Sequence, residues 1–170
     1  APIPGKSLVG IEVPNKAAAI VRLGSLMSYP EFTNSGPLTF ILGRDVSGEP
    51  IYADIERMPH LLIAGSTGSG KSVAIHALLI SLLYKNAPET LRLILIDPKR
   101  VELSVYEGIP HLIAPVITEN KKTIGVFRWA IQEMERRYGL LLEAGARDIQ
   151  SYNKNLQKLK PLKTIRFILL

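Results

Sequence analysis

Residues 61–72 read Leu61-Leu62-Ile63-Ala64-Gly65-Ser66-Thr67-Gly68-Ser69-Gly70-Lys71-Ser72, an apolar run followed by a loop with three glycines. Residues 73–79, which come next, are mostly apolar. A short apolar run before a turn is typical of a buried strand, and the segment after the loop has the composition of a helix. The stretch therefore predicts a buried strand, a tight loop and a helix in immediate succession.

The loop has the spacing of a phosphate-binding P-loop, G-x-x-x-x-G-K-[ST]. Gly68 and Gly70 can adopt positive φ and let the backbone approach a phosphate closely. The N–H groups of residues 67–72 can then converge on phosphate oxygens at a helix N-terminus, where the dipole favours an anion. The predicted nucleotide-binding residues are Gly65, Ser66, Thr67, Gly68, Ser69, Gly70, Lys71 and Ser72.

Two side chains of this loop have separate predicted roles. Lys71 is the predicted catalytic residue, because its ammonium group would reach the β- and γ-phosphates. The Ser72 hydroxyl is the predicted Mg²⁺ ligand, so the expected cofactors are ATP and Mg²⁺. A chance match in a loop rich in Gly and Ser is the alternative, and the strand predicted before the loop and the helix after it count against that alternative.

The composition is that of a globular protein, with 46% hydrophobic and 21% charged residues among 170. No apolar run is long enough to span a bilayer, and the absence of cysteine excludes disulfides and Cys-zinc sites. The net charge of +6 lies mostly in residues 86–170, which hold 14 Lys/Arg and 9 Asp/Glu. This excess fits either a polyanionic partner such as nucleic acid or a mildly basic surface.

The rest of the chain alternates predicted strands and helices. Residues 38–42 and 51–55 predict a β-hairpin, and residues 31–37 a loop. Strands are expected at 91–97 and 164–170, and helices at 17–27, from 71 to about 86, from the capping residues 118–120 to about 145, and from 149 to about 159. Strands and helices that alternate after a P-loop predict an α/β fold, a parallel sheet with crossover helices.

Asp97 ends a strand with the form of a Walker B motif, four apolar residues followed by an aspartate. In P-loop ATPases with an added central strand, however, the strand after the P-loop helix lies away from the P-loop strand. The Walker B carboxylate then comes one strand later, which here is 164–170. This order of strands speaks against Asp97 as the Walker B carboxylate, and the Asp-Glu pair is expected after Leu170.

Several longer segments resemble the motor domain of the FtsK/SpoIIIE family of double-stranded DNA translocases. The similar segments are 10–15 (Gly-Ile-Glu-Val-Pro-Asn), 58–65 running into the P-loop, 96–112 (Ile-Asp-Pro-Lys-Arg-Val-Glu-Leu-Ser-Val-Tyr-Glu-Gly-Ile-Pro-His-Leu), 134–138 (Met-Glu-Arg-Arg-Tyr) and 152–153 (Tyr-Asn). The resemblance covers nearly the whole chain.

The resemblance implies a RecA-like P-loop ATPase core that assembles as a hexameric ring around double-stranded DNA. Residues 1–36 would end a smaller lead-in domain, and residues 37–170 would be the N-terminal part of the ATPase domain, incomplete at the C-terminus. The chain alone would then bind nucleotide but hydrolyse it poorly. The motor would work in the cytoplasm in chromosome partition at cell division or sporulation, with any membrane anchor in segments outside this chain.

Three functions remain open from the sequence. The first is a DNA pump whose ATPase activity is stimulated by duplex DNA. The second is a related ring ATPase that moves protein, such as a secretion motor, which duplex DNA would not stimulate. The third is a nucleotide-binding module in which ATP only stabilises an oligomer.

Overall fold

The computed structural model describes residues 7, 9, 11, 19–58, 60–157 and 167–169, and they form a mixed α/β structure. In chain order, the helices and strands are α1 (Leu23–Met27), α2 (Pro30–Thr33), β1 (Thr39–Arg44), β2 (Pro50–Asp54), α3 (Lys71–Lys85), β3 (Leu91–Leu93), α4 (Asn120–Glu143), α5 (Ile149–Gln157) and β4 (Phe167–Leu169). Short 3-10 helices follow β2 and precede α4, at Ile55–Arg57 and Ser104–Tyr106.

The predicted hairpin is confirmed, with β1 and β2 antiparallel and Thr39 opposite Asp54. Its turn is held by Asp45, whose Oδ1 accepts the N–H groups of Ser47 and Glu49. Gly48 completes the turn with a φ of 89°, a conformation that favours glycine. The first three residues of β1 are all buried, and β1 packs against α3, so the hairpin attaches directly to the helix that follows the P-loop.

The start of the chain differs from its prediction. Of the helix predicted at 17–27, α1 begins only at Leu23, and residues 12–18 lie outside the described part. The loop predicted at 31–37 is wrong over its first part, where α2 forms with Pro30 at its first position. Proline pre-sets the helical φ there, and burial of Phe32 stabilises the turn against Leu26 and Ile41.

The main hydrophobic core lies between α3 and the segment around β3. Burial of this much aliphatic surface is the dominant stabilising term for such a layer. The P-loop helix is thereby held against the strand that leads to Asp97. The buried members of this core are Leu38, Leu79, Leu82, Leu91, Leu93, Leu95 and Tyr106.

The two later strands are confirmed in shorter form, and they pair in parallel with Leu91 opposite Phe167. Two isolated parallel bridges join this part of the chain to a different segment, one from Leu93 to Leu112 and one from Ile96 to Ile117. The connection from β3 to β4 contains α4 and α5, as expected for a parallel pair.

The strand predicted just before the P-loop is wrong for the described residues. Residues 60–66 have no strand assignment, and Leu61 and Leu62 are 45% and 89% exposed. A strand forms only where a neighbour completes its hydrogen-bond ladder. No strand pairs with this segment among residues 19–58, 60–157 and 167–169.

The long helix α4 is confirmed, but its apolar stripe is not buried. Ile124, Phe127 and Ile131 are each more than half exposed, and α4 has no buried residue. The expected side-chain cap at 118–120 is also absent, because the N-cap residue Glu119 makes no such bond. Periodicity reveals that a helix is amphipathic, but it does not reveal what packs on its apolar face.

Among the residues that the structure describes, none of the helices combines the length and apolar character that a bilayer crossing requires. The division into a lead-in at 1–36 and an ATPase segment at 37–170 stays a prediction.

Candidate functional site

The P-loop backbone has the conformation that its glycines predict. Gly68 and Gly70 have φ values of 81° and 91°, and the Ser69 N–H donates to the Ser66 carbonyl at 3.1 Å to close a turn. Helix α3 then begins at Lys71, with Gly70 as its N-cap. Because glycine has no side chain to cap the first turn, the N–H groups at this helix end are suited to an external anion.

The three glycines serve two different purposes. A Cβ placed on Gly68 or Gly70 would have nothing within 4 Å, so these positions face open space and require glycine for their φ angles. A Cβ on Gly65 would instead collide with the Ser69 side chain. The loop is therefore closely packed at its start and open where a phosphate group would enter.

Lys71 lies across the loop with its ammonium group near the first glycine. Its Nζ is 3.4 Å from the carbonyl oxygen of Gly65, a long hydrogen bond. This bond is weak enough to be exchanged for a bond to an anion. The role of Lys71 as a catalytic cation at the mouth of the loop stays a prediction.

Ser72 contacts a carboxylate that the sequence analysis did not select. Its Oγ donates to Oε1 of Glu102 at 2.6 Å, across 30 positions of sequence. Glu102 lies within segment 96–112, which carries part of the family resemblance. The contact arises because this segment packs on α3, so it could not be predicted from the spacing of residues in the sequence.

Asp97 organises the segment that carries Glu102. Its two carboxylate oxygens accept the backbone N–H groups of Lys99, Arg100, Val101, Glu102 and Leu103 at 2.9–3.1 Å. The hydrogen bond from Leu103, followed by those of its neighbours, holds the pKa of Asp97 below its ordinary value against the opposing effect of burial. With its oxygens occupied in this way, Asp97 is a structural residue, in agreement with the argument against a Walker B role.

A second contact ties the same segment to α3. The Tyr106 hydroxyl lies 2.8 Å from Nδ1 of His76, and the tyrosine ring is buried in the main core. Burial raises the pKa of Tyr106. Segment 97–106 is therefore fixed at the beginning of α3 by Ser72 and one turn later by His76.

A polar cleft of about 410 Å³ lies on the same segment but away from the P-loop. No residue of the loop 65–72 contributes to it, so it is not the predicted phosphate site. Its lining residues are Asp97, Arg100, Ser104, Glu107, Val116, Thr118 and Glu119.

The residues present fit ATP and Mg²⁺. The open, uncapped helix end with Lys71 suits phosphate groups, and the Ser72 hydroxyl is a hard oxygen ligand of the kind that Mg²⁺ prefers. Within the described part of the chain, no group of three or more His, Cys, Asp or Glu residues could hold a metal unaided. Ser72 would supply one oxygen, and Mg²⁺ usually completes its coordination with substrate phosphates and water.

Sequence comparison identifies relatives over most of the chain. Residues 23–167 match the model of the FtsK/SpoIIIE family. The chain is 51% identical over 169 residues to a DNA translocase FtsK of Caldanaerobacter subterraneus subsp. tengcongensis, covering 99% of the chain and 24% of the relative. It is 49% identical over 157 residues to the DNA translocase FtsK of Pseudomonas syringae pv. tomato, covering 92% and 20%. The chain thus spans less than a quarter of the length of these relatives.

Two solved structures have a fold similar to that of this chain. The cytoplasmic domain of the Thermomonospora curvata Type VII secretion ATPase EccC matches with a TM-score of 0.70 and 27% identity, covering 89% of this chain and 20% of that one. The pCW3 conjugation coupling protein TcpA, in its monomer form with ATPgS, matches with a TM-score of 0.61 and 26% identity, covering 82% and 36%.

Proposed function

The chain belongs to the FtsK/SpoIIIE family, and from this premise we propose that it is part of an ATP-driven motor that moves double-stranded DNA. The observation that carries the proposal is the open P-loop at the N-terminus of α3, with Lys71 and Ser72 in its first turn. Relatives named DNA translocases, at about 50% identity, support DNA as the substrate that is moved.

In the proposed site, the backbone N–H groups of residues 67–72 bind phosphate oxygens and fix the position of the nucleotide. Lys71 stabilises the charge that develops on the transferred phosphoryl group, and Ser72 holds Mg²⁺. When bound, Mg²⁺ supplies further neutralisation of phosphate charge. Because Asp97 already accepts five N–H groups, we do not assign it to water activation.

The proposed architecture is a RecA-like core in which a parallel sheet with crossover helices carries the P-loop. The parallel pairing of β3 with β4 and the likeness to ATPase domains support it. We propose further that the full-length protein forms a hexameric ring around duplex DNA. It would work at the cytoplasmic face of a membrane, in chromosome partition at cell division or sporulation, with any anchor outside this chain.

A protein-moving motor is the second candidate, because the secretion ATPase domain of EccC shares the fold. Both motors would hydrolyse ATP at the same kind of P-loop. They differ in what stimulates hydrolysis. Duplex DNA would stimulate the DNA motor, because its ATP hydrolysis is coupled to contacts with DNA phosphates, and it would not stimulate the protein-moving motor.

The first test measures ATP hydrolysis by the full-length protein with and without linear duplex DNA. We expect strong stimulation by DNA in the wild type, and a loss of at least about 100-fold in Lys71→Ala because charge stabilisation is removed from the transition state. Lys121→Ala, which removes an exposed lysine on α4, is the matched control and should retain hydrolysis. Hydrolysis indifferent to DNA would favour the protein-moving motor, and nucleotide binding without hydrolysis would leave only the oligomerisation module.

A further inference from the structure

The contact between Ser72 and Glu102 joins the predicted Mg²⁺ ligand to a carboxylate outside the P-loop. The Ser72 Oγ donates to Glu102 Oε1 at 2.6 Å, which is short and typical of a hydroxyl bonded to an ionised carboxylate. Both side chains are partly exposed, so the contact lies at the surface of the loop where a nucleotide would enter.

Hydrogen bonds hold the backbone of Glu102 and of its two neighbours, and so fix the point from which its side chain extends to Ser72. The Glu102 N–H donates to Asp97 Oδ2 at 2.9 Å, and the N–H groups on either side of it bind the same oxygen. Arg100 adopts a φ of 57°, an uncommon conformation for a residue with a Cβ, and so allows the chain to wrap around Asp97. Tyr106 then fixes the far end of the segment to His76.

The hydrogen bond also sets the direction of the Ser72 hydroxyl. A hydroxyl group has one proton and two lone pairs. With its proton directed to Glu102, the serine oxygen has both lone pairs available for a cation.

We propose that Glu102 is a positioning residue for Mg²⁺, which acts through Ser72 and makes nucleotide binding dependent on the metal. The proposal rests on the proposed function, because it requires a nucleotide at the P-loop. It adds a residue from segment 97–106 to a site that the motif confines to residues 65–72.

The test measures ADP affinity of the full-length protein by titration calorimetry, once with Mg²⁺ and once with EDTA. The Mg²⁺ gain is the ratio of the ADP affinity with Mg²⁺ to the ADP affinity in EDTA. In Glu102→Gln we expect this ratio to fall by about tenfold or more, the usual cost of removing a carboxylate that hydrogen-bonds to a metal ligand. The affinity in EDTA should be equal or higher, because a negative charge near the phosphates is gone. Glu89→Gln makes the same change at an exposed position beyond the far end of α3 and should leave both affinities unaltered.

A double-mutant cycle tests whether Glu102 acts through the serine. In Ser72→Ala, the further change Glu102→Gln should alter the Mg²⁺ gain by less than about twofold, because the intermediary is already missing. Glu102→Asp, which keeps the charge on a shorter side chain, should restore part of the gain. A merely structural role would lower the unfolding temperature without changing the ratio of the two affinities.

Two results would overturn the inference, and a third concerns the proposed function instead. A Mg²⁺ gain in Glu102→Gln within twofold of wild type would show that the carboxylate does not position the metal. Equal effects of Glu102→Gln with and without Ser72 would show that it does not act through the serine. Failure of the wild type to bind ADP with Mg²⁺ would reject the proposed nucleotide site, and with it the inference that depends on that site.

Discussion

Asp97 shows at the scale of a single residue how one buried carboxylate can shape a loop. It is 7% exposed, and its two oxygens accept five consecutive N–H groups from residues 99–103. An ionised carboxylate is well suited to this because both of its oxygens are acceptors only. The form of the segment, and therefore the place of Glu102, depends on this side chain.

Asp97→Asn should destabilise the protein by about 2–4 kcal/mol, because the new amide group would face backbone N–H donors that it cannot accept. Urea unfolding of the two proteins measures the difference. Asp45→Asn is the matched control, since only Oδ1 of Asp45 accepts its two N–H groups and an amide oxygen can replace it. Equal losses in the two variants would contradict this explanation.

Because the pKa of Asp97 is lowered in the folded protein, we expect its contribution to the free energy of unfolding to depend on pH. The hydrogen bonds lower the pKa of Asp97 in the folded protein, so its stabilisation is fully present above its unfolded pKa of about 3.9 and is lost as the pH falls through the lower folded value. The difference in free energy of unfolding between wild type and Asp97→Asn should therefore be constant near neutral pH and shrink below about pH 4. Urea unfolding across this range measures it, and a difference that grows on acidification would refute the assignment.

At the scale of elements, helix α3 connects the P-loop to the main hydrophobic core and to the turn after α2. Its first turn contains Lys71 and Ser72, its middle packs in the main core, and its last residue, Lys85, reaches the turn after α2. The Lys85 ammonium donates to the carbonyls of Phe32 and Ser35 at 2.6 and 2.9 Å, and burial lowers its pKa. Residues 23–35 are thereby attached to the helix that begins at the nucleotide site.

Lys85→Met should cost about 1–3 kcal/mol of stability, because it removes the donor shared by these partly buried carbonyls while keeping the aliphatic stem. Chemical denaturation with urea would measure the loss. Lys122→Met removes an exposed lysine paired with Glu119 and should cost less than about 1 kcal/mol. If both variants lost the same stability, the contact between α2 and α3 would not be the cause.

Sequence patterns predict correctly the helices and strands that depend on residues close together in the sequence. Helix α3 and the β1–β2 hairpin were predicted correctly because the P-loop glycines, the alternating apolar residues and the turn residues lie close together in sequence. Helix α2 was missed because four residues give too short a period to detect, and burial of Phe32 stabilises it. The strand predicted at 61–64 failed because a strand needs a paired neighbour as well as an apolar sequence.

At the scale of the whole molecule, the net charge of +6 and the family membership together favour a polyanionic partner. Contacts with DNA phosphates release counterions, so the affinity of such a motor for duplex should fall steeply with salt. Sequence preference should be weak, because phosphate contacts carry no base information.

The DNA concentration that gives half-maximal stimulation of ATP hydrolysis should rise by at least about tenfold when the salt concentration increases from about 50 to 200 mM. The measurement uses the full-length protein and linear duplexes of unrelated sequence. ADP affinity with Mg²⁺, measured over the same range, controls for salt effects on the P-loop itself. If the half-maximal DNA concentration does not change with salt, the motor does not contact DNA mainly through its phosphates.

The conformation of the P-loop, helix α3 and the β1–β2 hairpin could be predicted from the sequence, because each depends on residues that lie close together in it. The contact of Glu102 with Ser72 and the attachment of Lys85 to α2 join residues 30 or more positions apart. Such contacts are decided by which elements bury their apolar faces together, and this depends on the packing of the whole chain. The motif thus predicts where phosphate would bind, and tertiary packing decides which carboxylate lies beside Ser72.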